Sequence, residues 1–403
     1  MNAPKLRFKE FTDEWTFTTL KDVAIKVNRI EANNSPIMMI SAEKGFILQS
    51  QKYSKDMTGD SLKKYITLYK NELAYNHGAS KLRPYGSVFM LLEDKARIPF
   101  VYHCFKIING YNKFYSYYLN RYSFGKLLKP LISSTARMDG LLNISFDNYF
   151  SIKFKIPQLK EQEKIANLLT TVDKKITNLE NIITSLENQK KGLLQQIFSQ
   201  KLRFKDENNN NYPNWKENIE SIKILSGNMY PTTSYINKPG ILLIQGINIT
   251  PNKLLLNDCI YISNDYNEIN HVIVKKGDIL LGLNRPLINN QLKICLFDKD
   301  FAYLYQRAGI LSFNKLKINS LFLYQYLQTD SFKKHLQVEL VGSDQPYIKS
   351  NIFNKIKLIF PCLEEQTKIA DFLSAFDRKL ENQKAQLEHW KQIKKGLLQQ
   401  MFV

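Results

Sequence analysis

Two interleaved apolar rows in the stretch Gln158–Phe198 constrain this chain more than any other feature. One row, at seven-residue spacing, reads Ile165, Val172, Leu179, Leu186, Leu193, and the other reads Leu169, Ile176, Ile183, Lys190, Ile197. Together they step by four and three, the spacing of a coiled-coil seam. Lys, Glu, Gln and Asn fill the positions between, and no proline follows Pro157 within the stretch. The pattern therefore predicts one helix of about 40 residues, near 60 Å long. Such a helix needs a partner for its apolar stripe, and the same chain supplies it. Residues Pro361–Phe402 match Pro157–Phe198 without a gap at a constant offset of 204, both copies ending in KKGLLQQ, a hydrophobic residue and Phe. The predicted pairing positions are Ile165, Leu169, Val172, Ile176, Leu179, Ile183 and Leu186 on the first helix, and Ile369, Leu373, Phe376, Leu380, Leu387 and Trp390 on the second. Gly192 and Gly396 interrupt the pattern at matched places, which points to a close helix crossing or a helix end. The lysine pairs beside them, Lys190-Lys191 and Lys394-Lys395, read more readily as a solvated face than as a basic ridge.

The repeat extends beyond the helices. Lys5-Leu6-Arg7-Phe8-Lys9, followed by Trp15, recurs as Lys201-Leu202-Arg203-Phe204-Lys205, followed by Trp215. The second copy comes directly after the first helix, whereas the second helix is followed only by Val403. Two equivalent halves then require the N-terminal copy to dock where the second helix would have continued, which makes the architecture circular with a pseudo-two-fold repeat. Between start motif and helix, each half holds a segment of β-branched and aromatic runs broken by Asn, Gly and Pro, the pattern of a sheet with many loops. Each segment also has an aromatic helical stretch, Phe114–Leu131 and Leu321–Leu340. FDNYFSIKFKIP before the first helix and SNIFNKIKLIFP before the second read as alternating strands ended by proline. The expected fold is mixed α/β: globular domains at 1–156 and 201–360, each a twisted sheet plus helices, with long helices at 157–200 and 361–403.

A formal charge of +20, with 57 Lys and Arg against 37 Asp and Glu, points to a polyanionic partner, most often nucleic acid. Cys104, Cys259, Cys295 and Cys362 stand singly, with no paired spacing and no histidine at ligand distance. They read as reduced thiols of a cytoplasmic protein, with no metal site. No stretch approaches a membrane span, and none reads as a signal peptide. The sequence contains no GxxxxGK[ST] phosphate loop, no Asn-Pro-Pro-aromatic or Asp-Pro-Pro-aromatic tetrapeptide, and no GxGxxG opening a helix. Glu93-Asp94-Lys95 with Glu72 could be forced into a metal-nuclease pattern, but spaced acids of this kind arise by chance in a chain with 23% charged residues. His77 and His103 lack a nucleophile at a telling spacing. No catalytic residue is assigned.

Two halves alike in frame and different in the middle resemble the specificity subunit of a Type I restriction-modification system. The resemblance covers the whole chain: the start at Leu6–Phe11, a globular segment, a helix ending GLLQQ at Gly192–Gln196, then a second copy of each. It implies two target-recognition domains, each reading half of a split double-stranded DNA target, held apart by an antiparallel pair of spacer helices. It also implies two modification subunits that methylate adenine and restriction subunits that translocate and cut DNA. S-adenosylmethionine, ATP and Mg would then act on those partners, with no cofactor on this chain. The rivals are a stand-alone methyltransferase or nuclease carrying its own reader, and a coiled-coil scaffold for RNA or protein.

DNA is read by polar and basic side chains on loops that meet base edges. In the first domain the best such loop is Asn76–Gly86, with Ser80, Lys81, Arg83 and Tyr85 as DNA-binding candidates and Lys81, Arg83 and Tyr85 expected to reach outward. Its counterpart carries Asn284, Arg285, Asn289, Asn290 and Gln291. A later pair of loops offers Thr135 and Arg137 in the first domain, and Ser343 and Gln345 in the second. Ser41–Lys44 and Gln245–Asn248 are weaker candidates.

Overall fold

Proline-terminated strands launch both long helices, which run Leu159–Phe198 and Leu363–Gln400. The structure is a computed structural model and describes residues 4–31, 34–53, 59–78, 80, 83–132, 142–237, 239–257, 259–266 and 270–402. The chain divides into two compact units, Met1–Glu180 with Ala385–Val403, and Asn181–Lys384. Each long helix thus gives one half to each unit. In the first unit Lys394 pairs with Asp173 at 2.7 Å and Lys391 with Glu180 at 3.4 Å. In the second, Lys190 pairs with Asp377 at 2.5 Å and Lys384 with Glu187 at 3.0 Å. One residue number rises as the other falls, so the helices run antiparallel in each unit.

The expected pairing positions are turned inward. Val172, Leu179, Ile183, Leu186 and Leu380 are buried, and Ile176, Phe376, Leu387 and Trp390 are half-buried. Ile165 and Leu169 are buried as well, in a cluster that joins Trp15, Phe114 and Phe154 of the globular segment to Leu397, Leu398 and Phe402 at the end of the second helix, and Ile369 and Leu373 lie in the second unit's cluster with Leu193, Leu194 and Phe198 of the first helix. The opening turns of each helix thus serve the domain and the seam together. Lys190 is also buried, with its ammonium on Asp377, so it is not part of a solvated face. A Cβ added at Gly192 or Gly396 would meet nothing within 4 Å, and both residues lie inside their helices. Neither a close crossing nor a helix end explains them.

In the first unit a four-stranded antiparallel sheet runs Ala24–Lys26, His103–Ile107, Leu73–Asn76, Ser87–Met90. The second unit repeats it as Lys223–Ser226, Ala308–Ser312, Ile279–Gly282, Ile294–Leu296. It adds a five-stranded sheet, Tyr235–Ile236, Ile260–Ile262, Ile241–Ile244, Phe301–Leu304, Ile273–Lys275. Each aromatic stretch, expected as one helix, is two: Asn112–Tyr118 and Tyr122–Leu128, then Ser320–Tyr326 and Asp330–Glu339. Thr329 caps the last of these by accepting from the Phe332 N–H, which turns the chain where apolar content alone shows no stop. The segments read as alternating strands also differ. Ser145 caps a short helix, Phe146–Phe150, and only Lys153–Ile156 is strand, antiparallel to Thr16–Thr19. The second unit pairs Lys216–Glu217 with Ile359–Phe360 in the same way.

The repeated start motif makes the same bonds twice. Arg7 donates through Nε and Nη2 to Glu161 at 2.8 Å each, and Arg203 to Glu365 at 2.9 and 2.7 Å. Both carboxylates are fully buried, and removing either arginine would strand a charge at a cost of about 3–5 kcal/mol. The Leu202 N–H reaches Gln196 O at 3.0 Å across the continuous chain, and the Leu6 N–H reaches Gln400 O at 2.9 Å across the gap between the termini. Phe402 completes the first core beside Phe114 and Tyr118, as Phe198 packs beside Phe322 and Tyr326 in the second. The circular closure expected from the repeat is thus made without a covalent bond.

Candidate nucleic-acid interface

In the second unit the loops expected to read DNA form one surface. Leu287–Ile288 and Gln291–Leu292 make a hairpin turning at Asn289-Asn290, whose φ values of 48° and 59° suit the tight turn that follows strand twist. Asn289, Asn290 and Gln291 are exposed. Two lysines hold the loop from beneath. Lys333 Nζ donates to Asn290 O at 3.1 Å, and Lys293 Nζ donates to Asn284 O at 3.3 Å. Burial lowers the pKa of Lys293 from its ordinary value. The Arg285 N–H donates to Pro346 O at 2.7 Å, Asn284 bridges to Tyr347, and the Ile348 N–H donates to Leu283 O at 2.9 Å. These bonds bring exposed Ser343 and Gln345 beside exposed Arg285, while Asn284 is half-buried. Tyr347 also belongs to this edge and was missed, because the sequence pattern offered no reason to continue past Gln345. The turn at Gln306-Arg307 adjoins it too, and without Gly or Pro it carries no loop signal.

The first unit repeats the framework. The Leu142 N–H donates to His77 O at 2.8 Å, the counterpart of the Ile348 to Leu283 bond. Ser80 is exposed and exchanges main-chain hydrogen bonds with Arg83 at 3.1 Å in both directions. Lys81, Thr135 and Arg137 lie outside the described residues. Arg83 and Tyr85 correct the expectation that they reach outward. The Arg83 guanidinium donates to Asn120 O at 2.8 Å and Ala42 O at 3.4 Å, and burial lowers its pKa. It ties the Ser41–Lys44 hairpin tip and the Tyr118–Arg121 corner to its own loop. Tyr85 packs on the first core. An arginine beside unsatisfied carbonyls satisfies them before it serves a ligand.

The residues that suggested chemistry are occupied structurally. Glu72 accepts both Arg29 Nη1 and Nη2, at 2.7 and 2.9 Å, while Lys70 holds Asp94 and Lys95 holds Glu31. His77 bonds Leu142 O and Val101 O through its two ring nitrogens. His103 bonds Ile144 O, and burial pushes its pKa down to about 4.

The class this geometry defines is a duplicated frame on paired helices that presents two unlike loop surfaces. The chain belongs to the family of Type I restriction-modification DNA specificity proteins: the family model, described as Type I restriction modification DNA specificity domain, matches residues 12–188 and again 198–389. It is 30% identical over 284 residues to the Type I restriction enzyme MjaVIII specificity subunit of Methanocaldococcus jannaschii, a match covering 68% of this chain and 66% of that relative. A putative MjaX specificity subunit of the same organism is 26% identical over 98% of this chain and 95% of its own length. Among solved structures, the S subunit of a Type I restriction-modification system from M. genitalium aligns over 100% of this chain and 99% of its own, with a TM-score of 0.62 at 17% identity. That last likeness concerns the fold.

Proposed function

We propose that this chain is the DNA-recognition subunit of a Type I restriction-modification complex, each unit reading one half of a bipartite double-stranded target with unspecified bases between. The observation that carries the reading is the duplicated loop framework: the same cross-loop hydrogen bond, Leu142 to His77 and Ile348 to Leu283, supports different side chains in the two copies. The excess of basic residues suits the phosphate backbone. The chain then works without chemistry of its own, alongside two modification subunits using S-adenosylmethionine and restriction subunits using ATP and Mg. Free thiols at all four cysteines fit a cytoplasmic setting. Methylation mapping in cells carrying the chain with its modification subunits tests the reading. The expected result is methylated adenine in a single split, asymmetric target, and methyl transfer by this chain alone would overturn it.

A further inference from the structure

Eight non-glycine residues among those described have positive φ: Asn71, Gln200, Asn209, Asn252, Arg285, Asn289, Asn290 and Arg307. Six carry side-chain amides. Five of these are asparagines, whose short polar side chain tolerates this backbone region best. The remaining two are arginines, at 44° and 67°, and residues held in such strained geometry cluster at functional sites.

These two arginines share more than their backbone. Both are exposed, and neither guanidinium has a hydrogen-bond or ionic partner among the described residues, whereas Arg7, Arg29, Arg83, Arg97, Arg121 and Arg203 are engaged, and Arg378, also exposed and without such a partner, lies in the regular backbone of the second long helix. Their main chains also meet, because the Leu283 N–H donates to Arg307 O at 3.0 Å, two residues before Arg285. The turn that carries Arg307 is clamped. The Tyr305 N–H donates to Ile244 O and the Gln306 N–H to Asn228 O, both at 2.8 Å. A Cβ at Gly246 would lie 2.6 Å from Arg307 O, so only glycine lets that segment approach. In the first unit the corresponding position is a valine, Val101, whose carbonyl takes the His77 ring.

We propose that Arg307 is a base-reading residue of the second unit and that the half-target read by this unit contains a guanine contacted through it. The proposal rests on the DNA-recognition reading above. A guanidinium fork matches the paired acceptors O6 and N7 on the major-groove edge of guanine, and a rigid turn holds it ready to engage. The absence of the fork at Val101 confines the effect to one half of the target.

The test uses the complex of this chain with its modification subunits, once the wild-type target has been mapped. Arg307→Gly removes the side chain while suiting a φ of 67° and keeps the fold. Arg307→Lys keeps the charge and loses the fork. Both variants should leave the first half-target unchanged and lose discrimination at one G·C pair of the second. Competition against duplexes substituted at that pair should fall roughly ten- to hundredfold, with melting temperatures at or above wild type. Intact discrimination at every position in both variants would overturn the proposal. Uniform weakening on all sequences, with a salt slope smaller by about one, would overturn it too by making Arg307 a phosphate contact. A wild-type complex that methylates no split target removes the underlying reading itself.

Discussion

Lys394 Nζ lies 2.7 Å from Asp173, on a carboxylate that also accepts the Tyr117 hydroxyl at 2.7 Å. The second unit repeats the arrangement with Lys190 on Asp377, where Gln325 Nε2 at 2.6 Å stands in for the tyrosine. A lysine in an apolar row therefore marks a three-way junction of both long helices and a globular segment. A polar residue at such a position fixes the register of paired helices.

Removing the acid should cost more than replacing the base. Asp377→Ala leaves the buried Lys190 ammonium unpaired and should destabilise the second unit by about 1–3 kcal/mol, the partial exposure of Asp377 holding the loss below that of a fully buried pair. Lys190→Met, of similar volume, should stay within about 1 kcal/mol of wild type. Denaturant unfolding of both variants decides it, and equal losses would contradict the junction.

The N- and C-terminal ends should tolerate being joined. Eight residues separate Gln400 from Leu6 across Val403 and Met1, against five between Gln196 and Leu202, and both pairs make the same main-chain bond. A chain linked from Val403 to Met1 and opened between Gln200 and Lys201 should fold and direct methylation to the same target. Loss of the target with a normal melting profile would show that the break at Gln200 matters.

Gly192→Ala and Gly396→Ala should each stabilise the isolated chain by about 0.5–1 kcal/mol, since helix propensity improves and the added methyl meets nothing within 4 Å. Calorimetry provides the measurement. A fall in melting temperature would mean that the helices crowd at these turns in solution.

Arg83→Ala and Arg285→Ala should separate fold from recognition. Removing Arg83 frees the carbonyls of Asn120 and Ala42 and should cost about 1–3 kcal/mol of stability. Arg285→Ala should leave melting unchanged or raised and weaken specific binding by about 1–3 kcal/mol where the side chain meets a base. Exchanged outcomes would reverse the assignment of the two loops.

The long helices were legible because a seam repeat persists over many turns and is written twice. The circular closure followed from the same repetition, as Leu6 on Gln400 bears out. The local fold of the segments was less legible. The break before Thr329 and the helix capped by Ser145 depend on single side chains accepting from nearby N–H groups, a signal that aromatic content overrides on a pattern reading. At the loops, position was legible and direction was not. Arg83 and Arg285 look alike as basic residues beside proline, yet two carbonyls capture one side chain and leave the other exposed.

Each globular segment begins and ends on a single ribbon, with Thr19 opposite Lys153 in the first unit and Glu217 opposite Ile359 in the second. Chain entry and chain exit are therefore neighbours, and the helical frame registers only that two strands arrive side by side. Recombination at those two points could replace a whole segment without disturbing the buried arginine–glutamate pair or the helices. A lineage holding a few interchangeable segments would command a vocabulary of targets that grows as the product of its parts, with no new frame to evolve.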